Sequence, residues 1–390
     1  MKYLSVVIAF IILLSVNSKC HSYDDEKVHP RINVSAANQS LLVTKNILQN
    51  IGLTNGLKTE LSNSSGVFSV ENWIARGGTD EDAPDRRAIN HFHDPLQPWS
   101  HSGFYNLGYP ALIWAQDQSA ADNFPNQYSW AKARDHYYQA LTTGTESEFA
   151  DTFLALGHLM HLVSDMAVPA HVRQDYHVSD RVFLPNDPDL YEKYTASADV
   201  IPTLNFSGAK IGAAIFDQAP TTTEAPAPIT ALWDKDIYSG NNPGDTISTS
   251  QMEVGLAEYT NANFFSKDTF TGYPYPLAGP GTLQNTDWIY PEEVVAEDGK
   301  RDLRVYYWDS VGSSTIRKAG TSLITLDVMA KNTNPPWQID DNVSRDYASL
   351  LVPAAVGYST ALLDYFFRGD ICSLPTKPTS ASRINSKEYC

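Results

Sequence analysis

The chain has 390 residues, of which 45 are acidic and 28 basic, and its formal charge of −17 argues against stable nucleic-acid binding and against docking on anionic lipid through a basic face. Bound divalent cations would offset that field locally. Hydrophobic residues make up 42% of the chain, enough for a sizeable core, while 3 cysteines are too few for a zinc site built on thiolates.

Met1-Lys2-Tyr3 leads into the apolar block Leu4 to Val16, followed by a fully polar stretch from His21 to Lys27. This is the layout of a secretory signal, expected over residues 1–20 with cleavage after Ser18 or Cys20, and the block is too short to span a bilayer comfortably. No second apolar run of spanning length follows, so the expected location is secreted or periplasmic. If Cys20 leaves with the signal, Cys372 and Cys390 remain as an even pair in an oxidising compartment, and a tail-closing disulfide is expected.

Apolar residues at helical spacing predict a helix over 32–51 (Ile32, Ala36, Leu42, Ile47, Leu48), stopped by Gly52. A second is expected over about 128–142. A third runs from Glu146 to Met166 with the stripe Phe153, Leu156, Leu159, Met160 and Val163, and Pro169 ends it. Between about 205 and 336 the texture is loop-rich, with a helical pattern over 252–265 and a block over 303–326 whose class stays open between its β-branched character and its Gly and Lys interruptions. A last, strongly apolar helix is expected over 343–367, kinked at Pro353. The expected fold class is all-α: one helical domain over 21–370, carrying a long loop-rich insertion at about 205–336, with a polar tail over 371–390.

The chemistry concentrates in Leu156-Gly-His-Leu-Met-His161-Leu-Val-Ser-Asp165-Met-Ala-Val-Pro169-Ala-His171. His161 and Asp165 are spaced i,i+4 and project from one helix face, as paired zinc ligands do, and His171 just past Pro169 is placed to supply a third. The same spacing also suits a salt-linked pair on a solvated face. Other clusters accompany it: Gly77-Gly-Thr-Asp80-Glu-Asp82, then Asn90-His91-Phe-His93-Asp-Pro95, then Asp189-Leu-Tyr-Glu192, and near the start His29-Pro-Arg-Ile32-Asn-Val-Ser-Ala36.

The order of these blocks resembles the zinc-dependent phospholipase C family, whose fold is shared with single-strand-specific nucleases. The pattern His, three residues, Asp, three residues, Pro, one residue, His is matched at His161, Asp165, Pro169 and His171, and a His-Phe-aromatic-Asp-Pro block is matched at His91 to Pro95 with His93 in the aromatic slot. The resemblance implies an all-helical enzyme binding two or three Zn2+ ions. It implies that His91, His161 and Asp165 hold one zinc with an upstream aspartate, that Asp165 bridges to an ion held by His29, and that His171 and Glu192 hold the remaining ion. Three features differ from the family pattern. No Trp precedes Trp73, so there is no N-terminal Trp to ligate at the His29 site. Pro188 stands where the family has a histidine one turn before its glutamate, leaving His177 or Asp189 as substitutes. The upstream aspartate lies close to His91, with Asp82 favoured over Asp80.

Zinc in such a site activates bound water and holds phosphoryl oxygens, and Asp82 is the candidate catalytic group to orient or deprotonate that water. His158 is expected to play a supporting or surface role, His93 to donate to a carboxylate, and His101 and His136 to lie at the surface; Trp233, Asp234 and Asp236 suit either a cleft or the core. The expected activity is phosphodiester hydrolysis by a monomer, acting on a phospholipid headgroup phosphate with transient membrane-surface contact. An extracellular single-strand nuclease of the same fold and a non-catalytic zinc-containing binding protein are the alternatives.

Overall fold

Helix α1 (Val28–Gln39) begins before the sequence pattern suggests, because Val28 and His29 are already buried with Ile32, Ala36 and Ala37 on its inner face. The single helix expected over 32–51 is three pieces. Ser40 stops α1 and caps the next turn, accepting from the Leu42 amide, and after the short helix Leu41–Thr44 the left-handed Asn46 (φ 52°) separates it from Ile47–Asn50. The computed structural model describes residues 26–116, 125–175, 177, 189–217, 228–238, 254–267, 288–295, 301–323 and 337–368. The expected leader, Cys372, Cys390, the 371–390 tail and Pro188 lie outside them.

Strands β1 (Glu60–Asn63) and β2 (Gly66–Ser69) form an antiparallel hairpin that leads directly into α2 (Val70–Asp80), capped by the Ser69 hydroxyl. Helix α3 (Trp130–Thr143) is capped by Ser129 and ends on the left-handed Gly144, and α4 (Glu146–Ser164) follows at once. A 3₁₀ turn over Asp165–Ala167 continues α4, so the chain rotates at Asp165 before reaching Pro169. The short α5 (Leu190–Thr195) is capped by Asp189, α6 (Leu256–Asn263) is buried along its whole length, and α7 (Asp341–Phe366) is capped by Asp340, with Pro353 inside it.

The all-α expectation needs correction, since the chain is predominantly helical but carries a second, three-stranded antiparallel sheet, β3 (Trp288–Val295), β4 (Arg301–Val311) and β5 (Ser314–Ser322), in the order β3-β4-β5. β-Branched and aromatic residues dominate β4, and Gly312 at φ 60° makes the tight turn into β5. Arg317 fixes this sheet to α7: it bonds Asp346 and Glu292 and stacks on Trp308 and Tyr306. The loop-rich segment is likewise not all decoration. The 3₁₀ turn Pro228–Leu232 and α6 are buried in the main core, and Trp233 donates its indole N–H to the Leu162 carbonyl of α4. Among the described residues no helix is long and apolar enough to cross a membrane.

What positions the site is the crossing of α1, α2 and α4. A Cβ on Gly77 would stand 2.2 Å from the Leu154 carbonyl oxygen, and one on Gly157 would stand 2.3 Å from the Ile74 carbonyl oxygen, so the backbones of α2 and α4 touch at this glycine pair. Gly78 gives α1 the same closeness, since its added carbon would meet Asn33 Nδ2 at 2.6 Å. Asn33 uses that amide to bond the carbonyls of Ile74 and Gly157, tying the three helices together. The crossing brings His29, Gly78 and His161 into one layer. Replacing Gly157 by alanine is expected to cost about 1–3 kcal/mol through overpacking, measured by the shift in denaturation midpoint. In Gly212→Ala the added carbon meets only Ala214 N at 4.0 Å, and a shift under about 0.5 kcal/mol is expected; equal shifts in the two variants would contradict the crossing.

Candidate metal centre

The structure brings all the expected ligand side chains, from His29 to Glu192, into three adjoining buried groups: His29, His161 and Asp165; Asp82, His91 and His161; and His171, His177 and Glu192. Asp165 links them. Its Oδ1 lies 3.3 Å from His29 Nε2, and its Oδ2 lies 3.1 Å from His91 Nδ1, 3.3 Å from His161 Nε2 and 3.8 Å from His171 Nδ1. Asp82 reaches His91 Nδ1 at 3.3 Å and His161 Nε2 at 3.8 Å. Asp80 turns away: it pairs with Arg76 one helical turn back, its side chain 39% exposed. The choice between the two aspartates therefore falls on Asp82.

Most of the imidazoles are oriented by a partner on the side away from the cluster. His161 Nδ1 donates to the Gly78 carbonyl at 2.7 Å, His171 Nδ1 to the His91 carbonyl at 3.1 Å, and His177 Nδ1 to the Asp175 carbonyl at 3.0 Å. His29 Nδ1 meets the Ser164 hydroxyl at 2.8 Å; that hydroxyl spends its own proton on the His161 carbonyl, so it accepts from His29. A carbonyl can only accept, so each Nδ1 carries its proton and each Nε2 presents a lone pair inward. Facing carboxylate oxygens or another Nε2, these lone pairs need either a proton or a metal ion between them.

The third group states this most clearly. His171 Nε2 and His177 Nε2 are 3.3 Å apart, and the Glu192 carboxylate stands 3.3 Å from the first and 3.4 Å from the second. Ligands held ~2.0–2.2 Å from one tetrahedral ion stand ~3.3–3.6 Å from each other, so the two ring nitrogens and the carboxylate, which turns Oε1 to His171 and Oε2 to His177, already have the spacing of a ligand set. Both Asp165 oxygens and Glu192 Oε1 are buried and make no hydrogen bond in this structure, which is the exposed cost a cation would remove. The residues present fit a metal ion.

Electrostatics points the same way. Burial would disfavour charge on His91, yet Asp165, Glu81 and Asp82 outweigh it and push its pKa up to about 10. His161 is raised by Asp165 and Asp82 against its own burial. Burial and the neighbouring His161 hold His29 down to about 3, consistent with the two rings stacking at 3.7 Å. Burial opposes the charge of Asp165, but the surrounding histidines hold its carboxyl well below the usual range. Burial, with Asp189 and Asp165 adding to it, pushes Glu192 well above its ordinary value, and burial with the neighbouring His91 lowers His171. Without metal, the proton on His91 supplies positive charge beside the buried carboxylates, and the same carboxylates favour a proton on His161.

Other histidines have settled roles. His93 is buried, with Nε2 on Asp234 at 2.7 Å and Nδ1 on the Ser102 hydroxyl, and Trp99 donates to the same Asp234, so Asp234 belongs to the interior. Trp233 is core, and Asp236 is exposed with its amide bonded to Asp234. His101 is exposed, and His136 is half-buried against Glu148. His158 is not at the surface: it is buried, bonded to Glu81 at 2.5 Å and stacked on Tyr128. Glu81, fully buried beside Arg87, escapes sequence reasoning because Asp80-Glu81-Asp82 reads as a solvated acidic run. Its only sequence signal is Arg87 six residues on.

No family model matches the chain, and no curated protein or solved structure matches it.

Because His91 keeps a proton up to about pH 10 in the metal-free protein, an ion entering at near-neutral pH must displace it. Affinity is therefore expected to rise by about tenfold per pH unit for each proton displaced, through the range below that value. Calorimetric titration with zinc in buffers of different ionisation enthalpy should show release of at least one proton; binding with no proton release would contradict the protonation pattern.

Proposed function

We propose that this chain is an exported zinc-dependent phosphoric ester hydrolase of the phospholipase C type, acting on a phosphodiester such as a phospholipid headgroup phosphate. The observation that carries the reading is the linkage of two buried histidine–carboxylate groups through the two oxygens of Asp165, with the third group, His171, His177 and Glu192, joined to them where His171 Nδ1 bonds the His91 carbonyl. The residues that make it come from the same blocks, in the same order, that resemble the family in sequence.

The donor set favours zinc over calcium or magnesium, which prefer all-oxygen shells, because five imidazoles contribute. When bound in such a set, zinc lowers the pKa of a coordinated water towards neutrality and stabilises charge on phosphoryl oxygens. His29, His161 and Asp165 would hold one ion, Asp82 and His91 with His161 and Asp165 a second, and His171, His177 and Glu192 a third. His177 thereby takes the place of the histidine absent at Pro188.

Exposure within the cluster is uneven in a way that orients the reaction. His29, His161 and Asp165 are sealed, while Asp82, His177 and Glu192 keep a few per cent of their surface open. Substrate therefore approaches from the Asp82 and Glu192 side, and Asp82 is the carboxylate placed to orient an incoming water and accept its proton. The net charge of −17 favours a small phosphodiester or a zwitterionic headgroup over a polynucleotide.

Parallel assays on phosphatidylcholine vesicles, single-stranded DNA and a chromogenic phosphodiester test the reading. Lipid cleavage abolished by a chelator and restored by zinc is expected, with kcat falling about 10²-fold or more in Asp82→Asn. Cutting of DNA alone would make the protein a nuclease of the same type. Zinc binding without hydrolysis of any substrate would make it a binding protein.

A further inference from the structure

His91 is turned the opposite way from the other histidines of the cluster. Its Nδ1 faces Asp165 and Asp82, and its Nε2 is buried without a hydrogen bond and points outward at Glu81 Oε1, 3.6 Å away, an ion-pair contact that a small shift would close to a hydrogen bond. The outward nitrogens of His161, His171 and His177 meet backbone carbonyls and that of His29 meets a hydroxyl. Of these five, only His91 turns its outward nitrogen to a carboxylate that lies outside the ligand set.

Glu81 is held from several sides for that purpose. Its Oε2 accepts from Arg87 Nη2 and His158 Nδ1, each at 2.5 Å, and its Oε1 accepts from the Trp114 indole N–H at 3.0 Å. Arg87 also donates from Nε to the Glu81 backbone carbonyl at 3.1 Å, so one guanidinium fixes both the side chain of Glu81 and the chain leading into Asp82. Arg87 is itself buried, stacked over Trp114 and bonded to Asn126.

We propose that Glu81 is a positioning residue that orients His91 through Nε2 so that Nδ1 becomes a metal ligand, with Arg87 clasping Glu81 and presenting the adjacent Asp82 to the same ion. This rests on the metal reading above. A carboxylate behind a ligating imidazole fixes its tautomer and strengthens its grip on metal, and loss of such a partner typically weakens binding ~10–100-fold. Glu81 itself stays out of the ligand set, because its oxygens are committed to Arg87, His158 and Trp114.

The test is zinc titration of the full chain against a chromogenic competitor chelator, with folding checked by circular dichroism. In Glu81→Gln one metal equivalent is expected to weaken ~10–100-fold while the fold is retained. Trp114→Phe, which removes one donor to Glu81 and keeps an aromatic ring there, is expected to weaken the same equivalent severalfold, and it decides the matter if Glu81→Gln does not fold. Wild-type affinity for every equivalent in a folded Glu81→Gln, or in Trp114→Phe if that is the variant that folds, would overturn the positioning role. If the wild-type chain binds no zinc at all, the metal reading fails instead.

Discussion

Asp165 is a carboxylate without any exposed surface, surrounded by imidazoles and making no hydrogen bond through either oxygen. A buried charge in that position is tolerated only if opposite charge sits beside it, and removing one member of a buried pair costs about 3–5 kcal/mol. The neighbouring histidines provide that charge as protons, or a metal provides it as an ion. Everything else around the site can be read as a consequence: the helix that carries Asp165 must turn there, the rings must face inward, and the outer nitrogens must find acceptors.

The fold meets those demands by backbone contact. Gly77 against Gly157, and Gly78 against Asn33, let α1, α2 and α4 approach closely enough for His29, His161 and Asp165 to share one layer. The same closeness puts the Gly78 carbonyl within reach of His161 Nδ1, so helix packing and ligand orientation are one interaction. On the far side, the turn after Pro169 lets His171 bond back to the His91 carbonyl and meet His177 and Glu192, which joins the third group to the first two.

Much of the inner site was legible because it depends on local spacing. His161 and Asp165 share a helix face by periodicity, and His171 follows the proline that ends the helical run. The outer parts depend on contacts between distant segments. Nothing near Gly157 in the chain announces that it touches Gly77, and an acidic triplet gives no sign that Glu81 is buried against His158 and Arg87 while Asp80 is not. The helix expected over 32–51 failed locally, because Ser40 offered its hydroxyl to the next turn and Asn46 adopted a left-handed conformation that apolar periodicity does not register. Strands β4 and β5 were ambiguous for the opposite reason: β-branched and aromatic residues fill the block, but Gly312 and the charged Arg317 and Lys318 interrupt the run, and their roles as turn and as clamp emerge only in three dimensions, while β3 gave no signal within the loop-rich stretch.

The central claim is that these carboxylates and imidazoles are gathered around metal. Crystals grown with zinc and measured on both sides of the zinc absorption edge test it most directly. The account predicts anomalous peaks within the cluster, one of them between His171 Nε2, His177 Nε2 and Glu192 and at least one more against Asp165. Diffraction with the cluster ordered and no anomalous peak inside it would contradict the account.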